Sequence, residues 1–471
     1  MEKLNAKPSD IVGLGITNQR ESLCVWDRES GEPLHPCILW LDTRNRETVA
    51  TLEKELGGDA DALRHKCGLP ISTYFSGVKL RWLMDNVPDV AKSILDGNAL
   101  IGTVDSWLIW KLTNGKNHVT DVTNASRTMM MNLESTSWDE DLLSSLGLSK
   151  CVGALPEIVP SADSDLLGRV SESSNSPLAG VPITGCIGDQ QSAMVGQKCF
   201  GVGDAKTTYG TGAFTLINTG DKPCASKHGL LTTVLYQMGS EKSVQYVQLS
   251  FDISLSPFTL AIQTPTQTQY RYALEGSVGS CAVGLNWFCD SLDLFENAPE
   301  ITRLAEKAPS GADGVYFVSA FGGLFAPHWR DDARGTLVGL TLAHDKTHVA
   351  RAALEGIAFQ VTDVVDAMVS DSGVKLSSMR VDGGVCQSNP LLQTQADLLG
   401  TSVLRPDNIE TTALGAAIAA SIGAGSHELE SFTRSDQVET FESSMSAETR
   451  DLAKSNWKRA VESSLEWADR G

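Results

Sequence analysis

The sequence predicts an α/β fold. Short apolar runs ending at glycines or turn residues alternate with stretches of helical spacing, and an apolar content of 41% over 471 residues suffices for at least two cores in two or three domains. Residues 11–17 and 23–26 read as strands joined through Asn18, Gln19, Arg20 and Glu21, with a turn over residues 27–32. Helical spacing follows over residues 44–56, 78–86 and 104–112. Residues 181–187 form an apolar run ending at Gly188, which places Asp189 at the carboxyl end of a buried strand and at the start of a helix over residues 190–197. A second half begins near residues 201–204, with strands over 205–209, 213–218, 315–319 and 379–382 and helices over 347–369 and 389–399. No fixed-period repeat is present, and residues 446–468 read as a charged surface helix.

Composition narrows the function classes. A net charge of −20 argues against nucleic acid or an anionic membrane as partner. No apolar run reaches the ~18 to 20 residues of a membrane helix, and the first five residues lack a signal peptide's apolar centre. The ten cysteines include no C-x-x-C pair and no zinc-type spacing, which predicts reduced, buried thiols. The expectation is a soluble protein of the cytoplasm.

Two segments carry chemistry. Asp189 at a strand end has the position of a general base, while Gly210, Thr211 and Gly212 form a tight turn in which N–H groups and a hydroxyl can meet phosphate oxygens. Alone, the first is more often a helix cap than a base and the second is usually only a hairpin turn. Their order and spacing point to phosphoryl transfer to an alcohol.

Further motifs occur in sequence: Thr17-Asn18-Gln19-Arg20-Glu21, residues 74–86, residues 121–128, residues 335–340 with 348–355, and Arg380-Val381-Asp382-Gly383-Gly384. With these the chain resembles the FGGY carbohydrate kinases over residues 10–424. The resemblance implies two actin/hexokinase-like (ribonuclease H-like) domains with a cleft between them, over residues 1–198 and 199–425, and a helical tail over 426–471. It implies ATP-dependent phosphorylation of glycerol to glycerol 3-phosphate, with Mg2+, in a homo-oligomer. Arg20 and Glu21 would hold the hydroxyls that do not react, and Tyr74 would add a phenolic contact. Trp40 and Phe214 would cover the carbons, and Asp189 with Gln190 would grip the reacting end, Asp189 as the base. Gly210, Thr211, Gly212, Asn286, Gly383, Gly384 and Ser388 would hold the nucleotide. Either Ser388 or Asn389 would take the position of the base contact, because residues 386–389 depart from the family's usual continuation. A kinase for another small polyol or sugar and a non-catalytic polyol-binding paralogue are the alternatives.

Two departures from the family carry expectations. An Asp-Gln-Gly-Thr-Thr-Ser-like hairpin that cradles phosphates and places magnesium is absent from the sequence, so the magnesium ligands are left unassigned. Low turnover and an unpaired apolar edge at residues 11–17 are expected. Residues 246–271 stand as an insertion, and no glycine occurs from residue 240 to 275; the stretch reads as foreign to the fold or as a partner-binding loop.

Overall fold

The second half is built on a seven-stranded sheet whose strands, in spatial order, are Leu231–Gln237, Tyr270–Val278, Ala213–Gly220, Asp204–Tyr209, Ser378–Asp382, Val403–Pro406 and Val438–Phe441. This is a computed structural model, describing residues 7–173, 176–239, 270–308, 311–408, 410–432 and 437–468. The first four strands pair antiparallel, whereas Asp204–Tyr209, Ser378–Asp382 and Val403–Pro406 run parallel. The helix Lys346–Ser372 covers this sheet, capped by Asp345 and ended by Gly373 at φ 65°. It buries Ala350, Leu354, Ile357, Val361, Val364 and Met368, a helical repeat of three and four residues.

The first half is assembled from strand pairs. Leu14–Asn18 runs parallel to Ile183–Gly188, Cys24–Asp27 antiparallel to Ala99–Gly102, and Val119–Asp121 parallel to Glu157–Val159. Among the described residues, the other edge of Leu14–Asn18 carries no strand. The helix Thr411–Gly423 joins the halves, packing on both strands of the first pair and on the helix Asp189–Gly196. Its small residues allow the approach: a Cβ on Gly415 would lie 1.8 Å from the Ser192 carbonyl oxygen, and one on Gly15 would lie 2.2 Å from that of Ala416. Both obstacles are backbone, so no side chain can swing aside. Gly415→Val is expected to cost about 1 to 3 kcal/mol by overpacking, read as a lowered melting temperature. An unchanged melting temperature would refute this contact.

Several elements have the bounds the sequence predicts, among them the helices Val104–Leu112 and Asn389–Leu399. The helix Thr411–Gly423 escapes sequence reading because its run of small apolar residues has no polar face to reveal a period. The C-terminal segment differs from expectation. It supplies the edge strand Val438–Phe441, and its helix Ala447–Ser463 buries Trp457, whose ring stacks on Phe359 at 5.1 Å. The tail is therefore part of the second half's sheet and core. The expected insertion over 246–271 lies outside the described residues, except that Tyr270 and Arg271 begin a strand paired on both sides. The cysteines are also less buried than expected: Cys37 is exposed, and Cys24, Cys224 and Cys289 are half-buried.

Candidate active site

The strand Ile183–Gly188 is buried along its length, and Gly188 caps the helix that Asp189 opens. Asp189 stands at the carboxyl edge with its side chain 33% exposed. The neighbouring parallel strand Leu14–Asn18 ends at the same edge and delivers Arg20, whose Nε lies 3.1 Å from Asp189 Oδ1. The Gln190 amide donates to the same oxygen at 2.7 Å, so the carboxylate is aimed by two donors and open on its other side.

Behind Asp189 lies a buried ion network. The Arg20 guanidinium forks onto Glu275 at 2.6 and 2.9 Å and donates to Gln191 Oε1 at 3.1 Å. Arg127 donates to Glu21 at 2.6 Å and reaches Glu275 at 3.3 Å. Glu275 comes from the strand Tyr270–Val278, so the network bridges the two halves. Burial opposes charge on Glu275, yet Arg127 and Arg20 overrule it and hold its carboxyl down at about 2. Glu21 adopts φ 60°, a left-handed conformation costly for a residue with a side chain and held here by its fixed partners.

An aromatic wall adjoins these charges. Trp40 meets Tyr74 at 5.4 Å and Phe214 at 6.0 Å, both edge to face, and its amide donates to Ser22 Oγ at 3.1 Å. All three rings are half-buried. Lys206 links this region to the glycine turns. Its Nζ donates to Gln190 Oε1 and Thr208 Oγ1, each at 2.7 Å. Burial draws its ammonium below the ordinary value, opposed by Asp382, Asp189 and Glu275.

The strand bearing Lys206 runs into the turn Gly210, Thr211, Gly212, closed by a Gly210 amide to Gly212 carbonyl bond of 2.9 Å. Thr211 is exposed, and its carbonyl accepts from the Cys281 amide at 3.0 Å, setting the turn against the helix Ala282–Asp290. Gly383 ends the adjacent parallel strand with φ 86°, and a Cβ there would lie 2.5 Å from the Tyr209 carbonyl oxygen. Only glycine suits that position. Gly384 borders open space, Asn286 is exposed on its helix, and the Ser388 hydroxyl is buried without a partner. Glycine turns at the carboxyl ends of adjacent strands, with an orphaned hydroxyl nearby, fit a nucleotide.

The structure thus brings Arg20 and Gln190 to the Asp189 carboxylate, sets Glu21 3.9 Å from Arg20, and joins Trp40, Tyr74 and Phe214 into one wall. Sequence reading gave no role to Glu275, Arg127, Gln191 or Lys206. Glu275 lies 255 positions from Arg20, beyond any local spacing rule. The available signal was a buried Arg20 needing an acid.

A second polar layer braces the Asp189 strand. Thr123 Oγ1 accepts from the Gly188 amide at 2.8 Å and donates to Asp121, while Asp105 accepts from Thr103 and Thr120 at 2.5 and 2.7 Å. Asp105, Asp121 and Cys186 lie within 4.8 Å of one another, but hydroxyl and amide donors already occupy the carboxylates. Burial, with Asp121 nearby, pushes the Asp105 carboxyl from 3.8 up to about 6. The native state therefore favours its protonated form, and this contribution is full below pH 3.8 and lost as pH rises through 6. Asp105→Asn, which stays neutral, is expected to flatten the fall in melting temperature between roughly pH 4 and 6. A variant slope equal to the parent's would contradict this assignment.

Comparison with known proteins identifies the family. Residues 1–196 match the N-terminal domain of the FGGY family of carbohydrate kinases, and residues 205–424 match its C-terminal domain. A glycerol kinase of Acidiphilium cryptum is 45% identical over 474 residues, covering 100% of this chain and 88% of that relative. One from Arabidopsis thaliana is 45% identical over 488 residues, covering 100% and 87%. The crystal structure of Plasmodium falciparum glycerol kinase with ADP superposes with a TM-score of 0.84 at 38% identity, covering 96% of this chain and 84% of that one. Among the described residues no helix is long and apolar enough to cross a membrane. By matches spanning both halves, and with the two-domain actin/hexokinase-like fold of its relatives, this chain belongs to the FGGY family of carbohydrate kinases.

Proposed function

We propose that the chain transfers the terminal phosphoryl group of ATP to glycerol, giving glycerol 3-phosphate and ADP, in the cytoplasm. The observation that carries this reading is the Asp189 carboxylate, part-exposed and held by Arg20, whose ion network lies near Tyr74 of the aromatic wall. Glycerol offers three hydroxyls on a three-carbon chain, and its recognition needs converging polar groups with an apolar cover. Arg20, Glu21 and Tyr74 supply the polar contacts to the hydroxyls that do not react, and Trp40 with Phe214 packs the carbons. Gln190 orients the terminal hydroxyl, and Asp189 accepts its proton as the oxygen attacks phosphorus. Thr211 and the glycines of both turns admit the phosphates and ribose, with Ser388 and Asn286 toward the base. Lys206 adds fixed positive charge at the edge where negative charge accumulates.

Magnesium, when bound with the nucleotide, neutralises phosphate charge. Asp189 is a part-exposed carboxylate of this edge, so its oxygens are candidates for the ion's inner or water-bridged shell. The glycerol kinase names among the relatives and the ADP complex of one of them support this reading over a kinase for larger sugars. The likeness to a gluconate kinase of Lactobacillus acidophilus, at 22% identity, speaks for the fold alone.

The test is ADP formation by the purified chain with glycerol, xylitol, gluconate or no acceptor. Glycerol is expected to give the highest rate above the acceptor-free background. Faster turnover with a five- or six-carbon acceptor would reassign the substrate.

A further inference from the structure

Leu23 and Ile38 exchange backbone hydrogen bonds of 2.9 and 3.0 Å in an antiparallel bridge. That register sets the next residues, Cys24 and Cys37, opposite each other, with their sulfurs 3.3 Å apart. Antiparallel neighbours of this kind have Cα atoms about 4.5 Å apart, within the roughly 4.4 to 6.8 Å that a disulfide spans. Little backbone movement is needed to join them.

The two thiols are unequal. Cys37 is exposed, whereas Cys24 is half-buried at the start of the strand Cys24–Asp27. The Cys24 thiol donates to the Cys37 sulfur, and with the Lys79 ammonium nearby this holds the Cys37 thiol below its ordinary value. The same hydrogen bond, together with burial, pushes Cys24 up. An accessible nucleophilic sulfur thus lies against a protected second sulfur, the arrangement of an attacking and a resolving cysteine.

We propose that Cys24 and Cys37 form a reversible intramolecular disulfide on exposure to a hydroperoxide. The Cys37 thiolate attacks a peroxide oxygen and the O–O bond breaks. The departing hydroxide takes a proton and leaves as water, and Cys37 becomes a sulfenic acid. The Cys24 sulfur then attacks the Cys37 sulfur, the S–O bond breaks, and the second hydroxide leaves with the Cys24 proton as water. Two thiols lose two electrons and two protons, and hydrogen peroxide is reduced to two waters. A dithiol reductant reverses the bond. In the oxidised form the backbone three residues after Glu21 is tied to that three residues before Trp40.

The test treats the full chain with one equivalent of hydrogen peroxide, blocks free thiols and digests with trypsin. Cleavage after Arg20, Arg28 and Arg44 leaves Cys24 in peptide 21–28 and Cys37 in peptide 29–44. The expected product is the two peptides joined, lighter than their sum by two hydrogen atoms and separated again by dithiothreitol. In Cys24→Ser, Cys37 is expected instead to carry a dimedone-reactive sulfenic acid. The proposal is overturned if peptide 21–28 stays unlinked in the parent, whether Cys37 remains a thiol or accumulates as sulfenic acid. It is equally overturned if either cysteine joins a different one.

Discussion

Asp189→Asn is expected to lower the rate of phosphoryl transfer by about 10² to 10⁴ while leaving glycerol binding largely intact, the usual share of a general base. Asparagine keeps an oxygen for Arg20 Nε and for the Gln190 amide, which now sit 3.1 and 2.7 Å from Asp189 Oδ1. The helix start and the aromatic wall are thereby preserved, and the acceptor of the glycerol proton is lost. Calorimetry with glycerol and steady-state kinetics together separate the two effects. A variant with near-parental turnover would remove Asp189 from the base role, and one that no longer binds glycerol would make the residue a binding group.

Glu275→Gln is expected to cost about 3 to 5 kcal/mol of stability, because it leaves two buried guanidiniums, Arg20 and Arg127, with Glu21 as their one buried carboxylate and the part-exposed Asp189 as the other partner of Arg20. Arg20 also loses its fork, so glycerol affinity is expected to fall with stability. The pH dependence follows from the same group. Its folded value of about 2 lies below the ordinary 4.5, so its stabilising contribution is present above 4.5 and lost as pH falls through 2. Acid unfolding of the parent is expected to be steeper over that window than in the variant. Denaturant unfolding across pH measures both effects, and equal stability of the two chains at pH 7 would show that Glu275 does not anchor the network.

What the sequence reveals and what it hides divide along physical lines. The strand into Gly188 and the position of Asp189 are legible because an apolar run ending in glycine has few other readings. The bounds of Asn389–Leu399 are legible from a proline in the first turn and a glycine at the end. The turn Gly210, Thr211, Gly212 is a hairpin turn that stands at the carboxyl edge, so the hairpin reading holds without excluding a phosphate there. Pairings between distant segments are hidden. Neither the Arg20 fork onto Glu275 nor the Lys206 bond to Gln190 follows from spacing, since each depends on how two halves close. The tail misleads because its charged residues dominate the sequence pattern while Trp457 and Val461 make the contact.

The reaction proposed for this chain moves a phosphoryl group from ATP onto the terminal oxygen of glycerol. The most direct measurement is phosphorus NMR of the full chain incubated with ATP, magnesium and glycerol until the spectrum stops changing, which reads product identity independently of rate. The expected result is a glycerol 3-phosphate resonance growing in equal amount with ADP and absent from the Asp189→Asn reaction on the same timescale. ATP that stays intact, or ADP accompanied only by inorganic phosphate, would contradict it.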